Sequence, residues 1–159
     1  MTILSIRCGA KMVSDLALGL AAEHLVCADL LLNGYNAYVT SQNSPYDIAL
    51  DYNKTVVRIQ VKSTSNIRKV PQRVNDMPAY LWNVRRAGKK GIRRYGVTEF
   101  DILALVAVDI KTIAYFTISD TVKQTIILHP PGTISRYKKH KLKNIDQYPF
   151  TEALSGFTR

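Results

Sequence analysis

Asp47, Gln60 and Lys62 place a carboxylate, an amide oxygen and an ammonium close together in the first half of the chain. Carboxylate and amide oxygens are hard ligands that suit Mg²⁺, an ion that polarises phosphate and lowers the pKa of a bound water. A lysine beside them can orient that water, help to deprotonate it and offset charge developing on a phosphorane. The chemistry open to this set is phosphodiester hydrolysis. The backbone carbonyl of Val61, between Gln60 and Lys62, is a further candidate ligand, and Glu23 offers a second carboxylate from an earlier segment.

For these groups to meet, the chain must form a hairpin. Strands are expected at about Tyr46 to Tyr52 and Thr55 to Ser63, joined at Asn53-Lys54, where Asn tolerates the positive φ of a tight turn. With those two residues at the turn, Asp47 lies opposite Gln60, and opposite residues of antiparallel strands share a face. Period-two alternation then sends Arg58, Gln60 and Lys62 to Asp47's face and the apolar Val57, Ile59 and Val61 to the core. A helix is expected from Asp15, capped by Ser14 and ended at Gly34. It is apolar on most sides and should be largely buried. At 100° per residue, Leu16, Leu20, Cys27 and Leu30 fall within about 40° of one line, with Glu23 in their midst. A carboxylate there requires a partner, either a metal or a cation such as Lys62 or Arg58.

Elsewhere, a strand is expected within Tyr35 to Thr40 and another over Ile102 to Val108. A turn at Asp109 to Thr112 leads to a partner strand over Ile113 to Ile118. A short strand at Thr125 to Leu128 and a helix near Thr151 to Leu154 complete the reading. Residues 67–95 read as irregular and basic. They hold Arg68, Lys69, Arg73, Arg85, Arg86, Lys89, Lys90, Arg93 and Arg94 against the single acid Asp76, with Tyr80, Trp82 and Tyr95 interleaved. A second basic region, about 134–145, includes Lys138, Lys139 and Lys141. The whole chain of 159 residues carries 22 Lys and Arg against 12 Asp and Glu, a net +10 that favours a polyanionic partner. All twelve named cations are candidate DNA contacts. Asp51 reads as a solvated strand end and Asp101 as structural, and the three histidines show no ligand spacing.

Size and a hydrophobic content of 47% point to a single globular domain over 1–159. Two cysteines without a CxxC pattern suit a reducing cytosol, and no secretion signal is expected. Leu16 to Leu32 is interrupted by Glu23, His24 and Asp29, which argues against a membrane span. The expected location is cytoplasmic, nucleoid-associated in a bacterium.

The segment Ser44-Pro45-Tyr46-Asp47-Ile48-Ala49-Leu50-Asp51, followed by Arg58-Ile59-Gln60-Val61-Lys62-Ser63, resembles the PD-(D/E)XK nuclease motif. It is most similar to the group I intron-associated homing endonuclease branch, in which a Tyr-Asp pair precedes Gln-Val-Lys. It also resembles archaeal Holliday-junction resolvases, with their helix glutamate, aspartate and Glu-x-Lys. The resemblance covers residues 15–65 and extends to Tyr95 and Phe100-Asp101. It implies a restriction-endonuclease-like α/β fold, a mixed central sheet flanked by helices. It also implies Glu23, Asp47 and Gln60 as metal ligands and Lys62 as the catalytic lysine. Gln60 stands where most of the superfamily has an acid. The expected reaction is Mg²⁺- or Mn²⁺-driven hydrolysis of double-stranded DNA to a 5′-phosphate and a 3′-hydroxyl, at a specific homing-type site. Cutting both strands calls for a homo-oligomer, a dimer or tetramer. The alternatives are a junction resolvase and a DNA-binding module with a weakened site.

Overall fold

The computed structural model describes residues 13–68, 77–88, 91–93, 95–96, 98–121, 125–135 and 141–157. Ser14 caps helix α1 (Asp15–Leu32), its hydroxyl accepting from the Ala17 N–H at 3.2 Å. Gly34, at φ +84°, lets the chain leave the helix in a conformation that a side chain would disfavour. Strand β1 (Asn36–Val39) follows, then β2 (Ile48–Tyr52) and β3 (Thr55–Thr64). Asn53 and Lys54 take φ of 47° and 63°, a two-residue turn whose twist matches its strands. The register is the expected one, with Tyr52 opposite Thr55 and Ile48 opposite Ile59.

The main sheet has five strands in the order β1-β2-β3-β7-β8, where β7 is Ile102–Ala107 and β8 is Thr112–Thr117. Only the central β3–β7 pairing is parallel, with Ile59 beside Ile102. A parallel strand covered on both faces should be apolar throughout, and all six residues of β7 are buried. One face of the sheet packs Val57, Ile59, Val61, Ile102, Ala104 and Val106 against Ala22, Val26 and Leu30 of α1 and Phe150 of α2 (Phe150–Ser155). The other face packs Leu103, Leu105 and Ala107 against Tyr80, Trp82, Phe100 and Leu128. This mixed α/β architecture is the restriction-endonuclease-like class expected from the resemblance.

Two expectations are corrected. Helix α1 is not largely buried: only Ala22, Val26 and Leu30 are fully covered, while Leu16 and Leu20 are 76% and 45% exposed. The sheet covers a single face of the helix, and no other described element covers the opposite one. The basic stretch 67–95 is also not irregular throughout. Its described parts form β4 (Tyr80–Asn83), paired with β9 (Thr125–Leu128), and a small ribbon of β5 (Arg86–Gly88) and β6 (Gly91–Arg93). Tyr80 and Trp82, interleaved with cations in the sequence, are core residues: both are buried, with the Tyr80 hydroxyl donating to Asp109 at 2.7 Å.

The start of the parallel pairing is clamped. Asp101 accepts from the Arg58 backbone N–H at 2.8 Å and from the Arg58 guanidinium at 3.0 and 2.8 Å, and the Asp101 N–H donates to the Arg58 carbonyl at 2.8 Å. Arg58 is therefore turned toward Asp101 and the Thr98 carbonyl, and does not join Asp47 as the alternation implied. Breaking a half-buried bidentate pair strands the remaining charge, so Arg58→Ala should destabilise the fold by about 2–4 kcal/mol. Urea denaturation at neutral pH measures this; a loss no larger than that of an exposed-lysine substitution such as Lys54→Ala would refute the clamp.

Candidate active site

Asp47 sits one residue before β2, where the sheet still grips its backbone. Its N–H donates to the Ile59 carbonyl at 3.0 Å, and its carbonyl accepts from the Thr40 N–H at 2.9 Å. Thr40 also donates its hydroxyl to the Tyr46 carbonyl at 2.5 Å, so the approach to Asp47 is held from the β1 side as well. With the main chain fixed, the side chain turns across the hairpin. Asp47 Oδ2 accepts the Val61 N–H at 2.7 Å and hydrogen-bonds Gln60 Nε2. Gln60 Nε2 also approaches the Val61 carbonyl at 3.5 Å, so the amide lies between a carboxylate and a main-chain oxygen. Gln60 is 9% exposed, the most enclosed polar side chain of the set.

Burial pushes the Asp47 carboxyl above its ordinary range, against the opposing pull of the Val61 N–H, the Lys62 ammonium and the Gln60 amide. Glu23 is also raised, first by burial and then by the charge of Asp47, with His24 acting in the other direction. One carboxyl raised by burial and a second raised by burial and by the charge of the first are short of positive charge. The Lys62 ammonium supplies part of it and rests 5.3 Å from the centroid of the Tyr95 ring, a cation–π contact. Tyr95 is held in turn edge-on to Phe100, centroids 5.1 Å apart.

The sequence-derived set of Glu23, Asp47, Gln60, Val61 and Lys62 is thus brought together. Among the described residues no cluster of three His, Cys, Asp or Glu side chains forms a ready metal cage. The donor set nevertheless fits a divalent cation: Asp47, only partly compensated by Lys62 and close enough to Glu23 for its charge to be felt there, lies beside an amide and a main-chain carbonyl. Amide oxygen and nitrogen exchange places by a half-turn of the Gln60 side chain, which would present Oε1 where Nε2 now bridges Asp47 and Val61. The Arg58–Asp101 clamp and the Tyr95 ring under Lys62 are the supporting contacts that alternation along β3 did not reveal. Both depend on where residues 95–101 return, which no local pattern specifies.

Of the candidate DNA-contacting cations, Arg68, Arg85 and Lys141 are exposed. Arg86 and Arg93 lie opposite each other in the β5–β6 ribbon. Lys69, Arg73, Lys89, Lys90, Arg94, Lys138 and Lys139 lie outside the described residues.

Residues 14–150, which include the aspartate before the second strand and Gln-x-Lys on the third, match the family model described as PD-(D/E)XK endonuclease. The chain belongs to that family, whose members generally use divalent metal ions. Its fold is similar to the solved structure of a bacterial homing endonuclease, I-Ssp6803I. The likeness has a TM-score of 0.62 at 18% sequence identity and covers 80% of this chain and 86% of that one. No curated protein matches the sequence.

The raised Asp47 carboxyl has a consequence for stability. The folded state favours its protonated form, so this acid supports folding at low pH and costs stability as the pH rises through the raised value. Asp47→Asn should therefore raise Tm by a few degrees near pH 7, with the gain fading toward about pH 4. Mg²⁺ should raise the Tm of the wild-type protein and leave that of Asp47→Asn unchanged. Differential scanning fluorimetry across pH and Mg²⁺ reads both effects; an Asn variant that is less stable at neutral pH and equally responsive to Mg²⁺ would contradict them.

Proposed function

We propose that the chain is a Mg²⁺- or Mn²⁺-dependent endonuclease that cuts duplex DNA at a specific site, in the manner of a homing enzyme. The observation that carries this reading is the convergence of two under-compensated carboxylates, Glu23 and Asp47, with Gln60, Val61 and Lys62. Asp47, Glu23, the Gln60 amide oxygen and the Val61 carbonyl would hold the ion. When bound, the ion supplies Lewis-acid polarisation of the scissile phosphate and a water of lowered pKa. Lys62 acts at the attacking water, orienting it and assisting loss of its proton through Nζ, while its charge offsets that developing on the phosphorane. The face of Tyr95 limits where that ammonium can swing. Inversion at phosphorus by water with departure of the 3′-oxygen leaves a 5′-phosphate and a 3′-hydroxyl.

Substrate binding falls to the basic surface. Arg68, Arg85 and Lys141 are exposed and suited to phosphates, each contact strengthening binding through counterion release. The β5–β6 ribbon has the two-stranded form that a major groove admits, and the basic stretch Arg85 to Arg94 runs through it, making Arg86 and Arg93 candidates for reading bases. Lys69, Arg73, Lys89, Lys90, Arg94, Lys138 and Lys139 belong to the same proposed footprint. The fold likeness to a homing endonuclease favours a duplex over a four-way junction.

A nicking assay on supercoiled plasmid and on junction DNA, with Mg²⁺ or Mn²⁺, tests this reading. Wild type should cut duplex DNA only when metal is present. Asp47→Ala should abolish cutting, and Lys62→Ala should slow it by about 100-fold or more. Metal-independent cutting, or cutting that survives Asp47→Ala, would defeat the assignment. Sequence-independent cutting of junctions alone would make the chain a resolvase, and tight DNA binding without nicking in Mn²⁺ would make it a binding module.

A further inference from the structure

Helix α1 buries one face against the sheet and presents the other to solvent along its whole length, about 27 Å. The exposed residues from Leu16 to Leu32 are Leu16, Ala17, Leu20, Ala21, His24, Ala28, Leu31 and Leu32, with one polar side chain among them. Leu16, Leu31 and Leu32 are 76%, 51% and 88% exposed, and Val13, just before the helix, is 69% exposed. A contiguous apolar strip of this kind on a soluble domain marks an interaction surface.

Charge narrows the identity of the occupant. The chain is +10 overall, yet no Lys or Arg occurs between Lys11 and Lys54, while Asp15, Glu23, Asp29, Asp47 and Asp51 all do. This face has nothing to offer a polyanion. It is also a surface on which two copies of a strongly basic protein can meet without setting Lys or Arg of this segment against each other. The order of residues adds a second argument. Counted outward from His24, Leu20 is balanced by Ala28, Ala17 by Leu31, and Leu16 by Leu32. An antiparallel pair of helices crossing at His24 therefore sets large side chains against small ones near the crossing, Leu20 on the partner's Ala28 and Leu31 on the partner's Ala17, while Leu16 meets the partner's Leu32 at either end. That self-complementarity is what a two-fold interface requires.

We propose that the exposed face of α1 is the surface through which two copies of this chain pair, antiparallel and two-fold about His24. A standard interface takes about 800 Å² from each partner, so the helix strip forms its apolar centre and Val13 part of its rim. Glu23 adjoins the crossing residue, so the two-fold brings the Glu23 residues of both copies beside the axis and fixes the separation of the two candidate active sites. This last consequence rests on the nuclease reading; the pairing does not.

Sedimentation equilibrium on the full chain, without DNA, is the test. Wild type should have twice the chain mass at micromolar concentration, and Leu20→Glu should weaken association by about 100-fold while keeping its circular dichroism spectrum. His24→Cys should give a disulfide-linked dimer on non-reducing gels where wild type does not. Helices packed at 8–10 Å bring on-axis Cα atoms within the roughly 7 Å that a disulfide spans. On supercoiled plasmid, Leu20→Glu should still nick one strand but fail to linearise, whereas Asp47→Ala should remain a dimer and cut neither. A dimer that cuts nothing would refute the nuclease reading and leave the pairing intact. A monomeric wild type, or a dimer unaffected by Leu20→Glu and not cross-linked through His24→Cys, would overturn the pairing.

Discussion

Strand β3 carries the fold and the candidate chemistry together. It pairs antiparallel with β2 on one edge and parallel with β7 on the other, and both registers must hold at once. The Asn53-Lys54 turn sets the first, and the Arg58–Asp101 clamp sets the second where the parallel ladder begins. A one-residue slip on either edge would send Gln60 and Lys62 into the layer packed against α1 and Ile59 and Val61 onto the face that carries the candidate site. The side chains of the candidate site are thus tied to the most strongly specified element of the sheet.

That placement has a cost written into the electrostatics. Asp47 is drawn into a half-buried position by the Val61 N–H and Gln60, and burial outweighs those contacts, leaving its carboxyl raised. Glu23 approaches from the helix layer and is raised as well, partly by Asp47 itself. A fold under selection for stability alone would place an amide or an apolar residue here. Retaining two strained carboxylates beside a lysine makes sense when a cation completes the set, and such perturbed groups mark functional sites. Tyr95 and Phe100 add a rigid wall that keeps the ammonium from drifting to solvent.

Much of this was legible locally. The hairpin, its register and the position of Asp47 opposite Gln60 follow from a two-residue turn and period-two alternation, and these are short-range properties. Ser14 and Gly34 likewise delimit α1 by capping chemistry alone. Reading burial from the helix was less successful. Leu16 and Leu20 looked like core because the helix is apolar nearly all round, and an all-apolar helix carries no record of which face the sheet takes. The ribbons within 67–95 were hidden for a different reason. Their Gly, Pro and basic residues read as loop, and β4 is stabilised by β9, more than forty residues away.

By itself the sequence determined the elements around the candidate site, the alternation that sorts Val57, Ile59 and Val61 from Gln60 and Lys62, and the basic character of the surface that follows residue 54. Each rests on neighbours a few residues apart. Only the tertiary structure decided that Arg58 turns away to Asp101, that Tyr95 underlies Lys62, and that α1 keeps an uncovered apolar face. Those outcomes depend on which distant segment returns to fill a given space. Close packing settles that question, and residue type alone does not.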